Sequence, residues 1–184
     1  EYGSKTLSLG VKQAGASVAW SYELKVNNGT QDLNQQVPAK PSGTYSFTIS
    51  SKRYKIVNGS VTSQSEDTTW TTSIPGSPSW VHVEEQSNTL IVTVDENTTT
   101  SQRSADIVIF QTGSSDTSIT LTVEQQAASI TWNYTFNIFQ PSSKVLNVPA
   151  KMIDPDTIVV NSYRTKVING TQTSTKEFVE VTID

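Results

Sequence analysis

Ser79 to Gln126 reads SWVHVEEQSNTLIVTVDENTTTSQRSADIVIFQTGSSDTSITLTVEQQ. Within it Val81 and Val83 alternate with His82 and Glu84, and Leu90, Val92 and Val94 alternate with Ile91, Thr93 and Asp95. Ala105–Phe110 and Ile119–Val123 are two further short runs rich in β-branched residues, and clusters of Gly, Asn, Asp and Ser separate the runs. Successive side chains of a strand point to opposite faces, so each run can bury one face. Four such runs at this spacing predict an antiparallel β-sandwich or part of one.

Upstream the pattern continues. From Ser17 to Val26, the side chains of Val18, Trp20, Tyr22, Leu24 and Val26 share one face, and Ala19, Ser21, Glu23 and Lys25 share the other. This alternation places Trp20 in the core, where Trp20→Ala would cost about 3–5 kcal/mol. Asn28-Gly29 tolerates positive φ at both positions and predicts a two-residue hairpin. After a polar connection with Pro38 and Pro41, Tyr45–Ile49 and Tyr54–Val57 read as strand and Asn58-Gly59 as a second hairpin turn. Thr68–Thr72 reads as a strand holding Trp70, and Ile74–Pro78 as a turn or crossover.

The chain repeats itself. Gln13–Tyr22 (QAGASVAWSY) recurs as Gln125–Tyr134 (QQAASITWNY), so Trp132 stands 112 residues after Trp20. Val37-Pro38-Ala39-Lys40 recurs as Val148-Pro149-Ala150-Lys151, and Lys55–Ser60 as Lys166–Thr171, now at a spacing of 111. Matched positions keep their apolar or polar character, so both copies should share one fold. Thr6–Ala14 (TLSLGVKQA) likewise matches Ser118–Gln126. The phase of the repeat predicts tandem immunoglobulin-like sandwiches. Residues 1–14 form the terminal strand of a preceding unit or an N-terminal strand, 15–126 a complete sandwich, and 127–184 the first part of a second unit. Trp132, Tyr134, Phe136 and Ile138 would then lack an opposing sheet. Such an open apolar face calls for cover from the first unit, another copy of the chain or further sequence.

Particular residues of the opening stretch carry a family likeness. Trp80-Val81, Val94-Asp95-Glu96-Asn97, Arg103-Ser104-Ala105-Asp106-Ile107 and Val123-Glu124-Gln125 together resemble a BACON domain, the Bacteroidetes-associated, carbohydrate-binding, often N-terminal module. The likeness covers about Tyr45–Gln126, because Phe47–Ser51 and Val57-Asn58-Gly59 look like the family's opening strands. What it implies is an immunoglobulin-like fold and carbohydrate binding, the latter attached to the family's name. Elementary chemistry gives the motif residues structural roles. The Arg103 stem can cover apolar surface while its guanidinium bonds loop carbonyls. Asn97 can turn the chain by bonding its own backbone, and Trp80 can plug the space between two sheets.

Composition and motifs exclude much else. The chain has 184 residues, a formal net charge of −4 and no basic stripe, which argues against nucleic acid as a partner. Its 25 Ser and 26 Thr disfavour long helices and suit solvated strand faces. Cysteine is absent, so no disulfide, thiolate metal site or cysteine nucleophile is available. No apolar run approaches the roughly 18 residues of a membrane span. The first residue is Glu1 and the single Met is Met152, which leads to the expectation that an upstream segment was removed.

No catalytic residue is assigned. His82 is the one histidine, alternates with Val81 and Val83, and accompanies no Gly-x-Ser-x-Gly elbow. The acidic pairs Glu66-Asp67, Glu84-Glu85 and Asp95-Glu96 are strand neighbours that point to opposite faces, so none makes an acid/base pair. No cofactor or metal is assigned either. Asp95-Glu96-Asn97 and Asp154-Pro155-Asp156 offer oxygens of the kind calcium takes, but without EF-hand spacing. Of the four tryptophans, Trp20 and Trp132 read as core, Trp80 as the family's first-strand Trp, and Trp70 as apolar filling because the repeat places Val181 there. A sugar site would then fall in loops such as Asn97–Gln102 or Gly113–Thr117.

The function these readings favour is a non-catalytic glycan-binding or adhesion module of a secreted or cell-surface bacterial protein, periplasmic or lipoprotein settings included. The alternative is a structural spacer in a multidomain surface protein or a phage virion protein. Its partners would be glycans, other domains or copies of the same chain.

Overall fold

The computed structural model describes residues 3–29, 33–114, 117–140 and 159–181. Among these every regular element is a strand: β1 (Val18–Val26), β2 (Asn34–Val37), β3 (Tyr45–Val57), β4 (Ser60–Asp67), β5 (Trp70–Ser73), β6 (Val81–Gln86), β7 (Thr89–Val94), β8 (Arg103–Gln111), β9 (Ser118–Gln125), β10 (Ile130–Gln140), β11 (Val159–Ile168) and β12 (Thr171–Phe178). The opening stretch supplies β6 to β9, as its alternation predicts.

Two sheets share one core. The first runs β1-β3-β7-β6, with β4 also paired to β3; the second runs β2-β9-β8-β5. Leu24, Val26, Phe47, Ile49, Val81, Leu90, Val92 and Val94 face inward from the first sheet, and Val37, Ala105, Ile107, Ile109, Leu121 and Val123 from the second. Leu90, Val92, Ile107, Ile109, Leu121 and Val123 are fully buried. These are the alternate residues of each run, so the period of two in the sequence becomes the inner wall of each sheet.

Asn28-Gly29 does not close a hairpin. Asn27, Asn28 and Gly29 all have positive φ, at 46°, 60° and 89°. They send the chain across to the other sheet, where β2 pairs parallel with β9. Strand β2 has the sequence NQQV, too polar to announce itself, and its place is set by Val37, which is 1 % exposed in the core. Asn58-Gly59 does make the predicted turn, with φ of 49° and 82°, between β3 and β4.

The long strand β3 does two jobs. Tyr45–Thr48 pairs with β7 inside the two-sheet unit, whereas Ile49–Val57 pairs with β1. Past Ser51 none of its residues is buried, and β1, β3 and β4 continue as a three-stranded ribbon. Trp20 lies on this ribbon, opposite Lys55, half-buried and outside the core. The expectation of a core tryptophan therefore fails. Alternation identifies the face a side chain shares, but not how far the opposing sheet extends along it. Arg53 supplies the missing cover. Its guanidinium lies 4.1 Å from the Trp20 ring centroid, and its Nε donates to Glu66 Oε2 at 2.9 Å.

The third sheet, β10-β11-β12, repeats that ribbon. Trp132 pairs with Lys166 as Trp20 pairs with Lys55, and both outer ladders shift register at the matched place, Tyr54/Ile56 and Thr165/Val167. Arg164 stacks 4.0 Å from the Trp132 centroid and donates to Glu177 at 2.9 Å. Trp132 is thus half-buried on a ribbon too, not in a core. Phe136, which corresponds to Leu24, is 55 % exposed where Leu24 is 8 %. Thr6–Ala14 belongs to no strand: among the described residues no neighbour pairs with its backbone, and Leu7, Leu9 and Val11 are exposed.

The fold sets an order of costs. Leu121→Ala should cost about 2–5 kcal/mol, and Trp20→Ala only about 1–2 kcal/mol, the worth of an arginine stack plus partial burial. Equilibrium denaturant unfolding of the full chain measures both, and equal costs would contradict the ribbon placement.

Candidate functional site

The residues of the family likeness meet at one end of the two-sheet unit. Gln125, the last residue of β9, is fully buried. Its Nε2 donates to Asp95 O at 2.9 Å, Ala39 O at 3.1 Å and Pro38 O at 3.2 Å, and its Oε1 accepts Arg103 Nε at 2.7 Å. Arg103 also donates through Nη2 to Asp95 O at 2.9 Å and lies 4.4 Å from the Trp80 centroid. Burial pulls the Arg103 pKa down and the nearby Asp95 carboxylate opposes that pull. Asn97, also fully buried, donates to Ser101 O and Gln126 O and accepts from Thr99 N and Thr99 Oγ1. These are the structural roles the residue chemistry predicts for Arg103 and Asn97. Trp80 is partly buried against the rim of the core and does not plug its centre. The buried side-chain amides of Gln125 and Asn97 are bonded to protein at both their nitrogen and oxygen, so the knot holds loops in place.

The carboxylates go separate ways. Glu84 accepts from Gln86, while Glu85 Oε1 accepts Thr72 N at 2.6 Å, Thr72 Oγ1 at 2.7 Å and Thr71 Oγ1 at 3.1 Å. His82 Nε2 lies 3.2 Å from Asp95 Oδ2, both side chains more than half exposed. Among the described residues no hydroxyl bonds this histidine–carboxylate pair, which lies on an open strand face and so presents two parts of a relay. Glu96 bonds Asn169, so the Asp95-Glu96-Asn97 run serves three different partners. Among the described residues no group of three His, Asp or Glu side chains is arranged to hold a metal. Asp154 and Asp156 lie outside the described residues, as do residues 115 and 116 of the Gly113–Thr117 loop.

Trp70 is the residue that sequence reasoning passed over. It opens β5 opposite Gln111 on β8, and its Nε1 donates to Ser87 O at 3.0 Å, which fixes the indole against the β6–β7 turn. Two shallow clefts flank it. One, of 230 Å³, is lined by Thr69, Trp70, Glu85, Gln86 and Ser87. The other, of 290 Å³, presents Ser50, Lys52, Asp67, Thr68 and Asn88 beside the same ring. Beneath the second cleft the buried Gln111 donates from Nε2 to Lys52 O at 2.8 Å and Thr68 Oγ1 at 2.7 Å, and Thr68 Oγ1 also bonds Ser51 Oγ. An aromatic face edged by carboxylates, amides, hydroxyls and an ammonium suits a flat, hydroxyl-rich ligand. Among the described residues neither cleft holds a hydroxyl bonded to a histidine, so the arrangement presents polar groups beside an indole. No sequence signal distinguishes Trp70 from the other tryptophans, because its surroundings come from β3, β4, β6 and the β6–β7 turn.

The regular elements of the described residues are all strands, and the family comparison places part of the chain in a class of binding modules. Residues 64–126 match the BACON family, described as "Putative binding domain, N-terminal". The matched segment, about a third of the chain, contains Trp70, Trp80, Asn97, Arg103 and Gln125. Phe47–Ser51 and Val57-Asn58-Gly59, part of the likeness read from sequence, lie upstream of the match although β3 completes the core. No curated protein matches the chain.

Gln125→Leu tests the knot. It removes the acceptor of Arg103 Nε and the donor of three carbonyls, and each buried polar group left unpaired costs about 1–3 kcal/mol. Denaturant unfolding should show a loss of at least that size, and an unchanged midpoint would mean that the knot is not needed.

Proposed function

We propose that this chain is a non-catalytic carbohydrate-binding module, built of tandem immunoglobulin-like units, of a secreted or cell-surface protein, and that Trp70 is its platform. One observation carries the reading. Arg53, Arg103 and Arg164 each lie over an indole, those of Trp20, Trp80 and Trp132, but among the described residues no cation lies over Trp70. Its ring packs on one side against the core and borders both clefts, the second of them mainly polar. Sugar rings pack their C–H faces on aromatic surfaces and hydrogen-bond their hydroxyls to carboxylates and amides alongside. Glu85 fits that role, since the bonds it accepts from Thr71 and Thr72 use Oε1 and leave Oε2 for a ligand. The binding-domain family match supports the class of function, and the carbohydrate in the name of the family that the sequence resembles suggests the ligand.

A spacer role is the second reading. It is favoured by the bonds that fasten the third sheet to the two-sheet unit, Asn169 Nδ2 to Glu96 Oε1 at 2.8 Å and Lys40 Nζ to Thr171 Oγ1 at 2.9 Å.

Screening the full chain and its Trp70→Ala form on a glycan array separates the two. The carbohydrate reading predicts binding by the parent and at least a tenfold loss in the variant, since stacking and its hydrogen bonds go together. Because Trp70 also packs against the core and bonds Ser87 O, the variant should lose about 1–3 kcal/mol of stability, so binding is compared under conditions where both forms are folded. No binding by the parent, or binding undiminished by the substitution, would contradict the reading. Glycosidase, esterase and peptidase substrates should show no turnover, and turnover abolished by His82→Ala would contradict the absence of catalysis.

A further inference from the structure

The turn between β11 and β12 joins the third sheet to the two-sheet unit. Asn169, at φ 49°, accepts Ser129 N on Oδ1 at 3.0 Å and donates its own N–H to Ser129 O at 2.9 Å, which clamps the turn to the start of β10. Its other side-chain atom, Nδ2, reaches across to Glu96 Oε1 at 2.8 Å and Asn97 O at 3.0 Å. Nearby, Ala128 N donates to Thr99 O at 2.7 Å and Lys40 Nζ to Thr171 Oγ1 at 2.9 Å.

The corresponding turn between β3 and β4 is built identically. Asn58 also sits at φ 49°, accepts Ser17 N on Oδ1 at 3.0 Å and donates to Ser17 O at 3.0 Å. Here the outward half of the device is idle. Asn58 is exposed and its Nδ2 has no partner among the described residues, and Ala16 and Ser60, the counterparts of Ala128 and Thr171, are exposed beside it. Just upstream, Leu9, Val11 and Gln13 correspond to Leu121, Val123 and Gln125, all fully buried in β9, yet Leu9 and Val11 are 86 % and 84 % exposed.

We propose that the Asn58 end of the two-sheet unit is a docking surface for another two-sheet unit of the same kind. Thr6–Gln13 forms that unit's last strand, and its acidic-Asn corner receives Asn58 Nδ2 and Ala16 N as Glu96, Asn97 and Thr99 receive Asn169 and Ala128. A second copy of this chain is a poor occupant, because its own Asn169 already fills its corner. The surface therefore stacks units in series, and Gln13 enters the same buried knot that Gln125 makes in the unit seen here.

Two full-length variants test this. In the first, the Ser118–Gln125 sequence is replaced by that of Thr6–Gln13. If the segments are equivalent strands the chain still unfolds cooperatively, whereas loss of the cooperative transition overturns the proposal. In the second, a copy of residues 15–112 is placed ahead of Glu1, so that Thr6–Gln13 can complete it. Hydrogen exchange at Leu9, Val11 and Ala16 should slow by about tenfold or more relative to the parent, and unchanged exchange overturns the proposal. If this longer chain does not fold, the strand replacement decides. Asn58→Asp keeps the Ser17 clamp but removes the donor. It should be silent in the parent and should restore fast exchange at Ala16 in the longer chain, while Asn169→Asp should speed exchange at Ala128 in both. Equal effects of the two substitutions in the parent overturn the proposal.

Discussion

The Gln125 amide is the interaction on which the remaining architecture depends. One buried side chain ties the end of β9 to the β2–β3 connection through Pro38 and Ala39, to the end of β7 through Asp95, and to the start of β8 through Arg103. Strand β2 has four residues and pairs parallel with β9, a pairing of modest strength by itself. The amide holds its exit in place, and with it Val37 in the core. The same anchoring shapes the loop from Asp95 to Gln102, whose Glu96, Asn97 and Thr99 meet the third sheet. A buried polar network of this sort specifies one arrangement because every alternative leaves donors and acceptors unpaired.

Away from the knot, arginine does what a second sheet does elsewhere. The inner face of β1 and β3 continues past the core onto the ribbon, where Trp20 would be left open. Arg53 covers it, and Glu66 holds the guanidinium and raises its pKa, so the charge is secure at any ordinary pH. In the third sheet the same triad recurs as Trp132, Arg164 and Glu177, with the Tyr134 hydroxyl and then Glu177 raising the Arg164 pKa. The planar guanidinium stacks and bonds at once, which lysine cannot do. Such capped tryptophans are spent on structure, and this is what singles out Trp70.

Much of the fold was legible in the sequence and little of the candidate site was. The alternation in Leu90–Val94 and Ala105–Phe110 places β7 and β8 and their buried residues, and the chemistry of Asn97 and Arg103 anticipates their bonds to backbone. The repeat predicts that β10 to β12 copy β1, β3 and β4 down to the register. Strand β2 was hidden because its sequence is polar and its place is fixed by a partner nearly 90 residues away. Trp20 misled because periodicity is local and the end of the opposing sheet is not. Trp70 stayed invisible because a cleft is a property of several chain segments. Ser87, Asp67 and Lys52 reach its surroundings only after β3, β4, β6 and β7 have paired.

The most direct test of the central claim, that Trp70 is the ligand platform, uses the four indole N–H groups as reporters. Each tryptophan gives one resolved signal in a nitrogen-labelled sample, and the full chain can be titrated with soluble oligosaccharides. The account predicts that a bound glycan shifts the Trp70 Nε1–H resonance, together with the backbone of Glu85 to Asn88, while Trp20, Trp80 and Trp132 stay under their arginines unchanged. A glycan that moves the Trp20 or Trp132 signal and leaves Trp70 unmoved would contradict it.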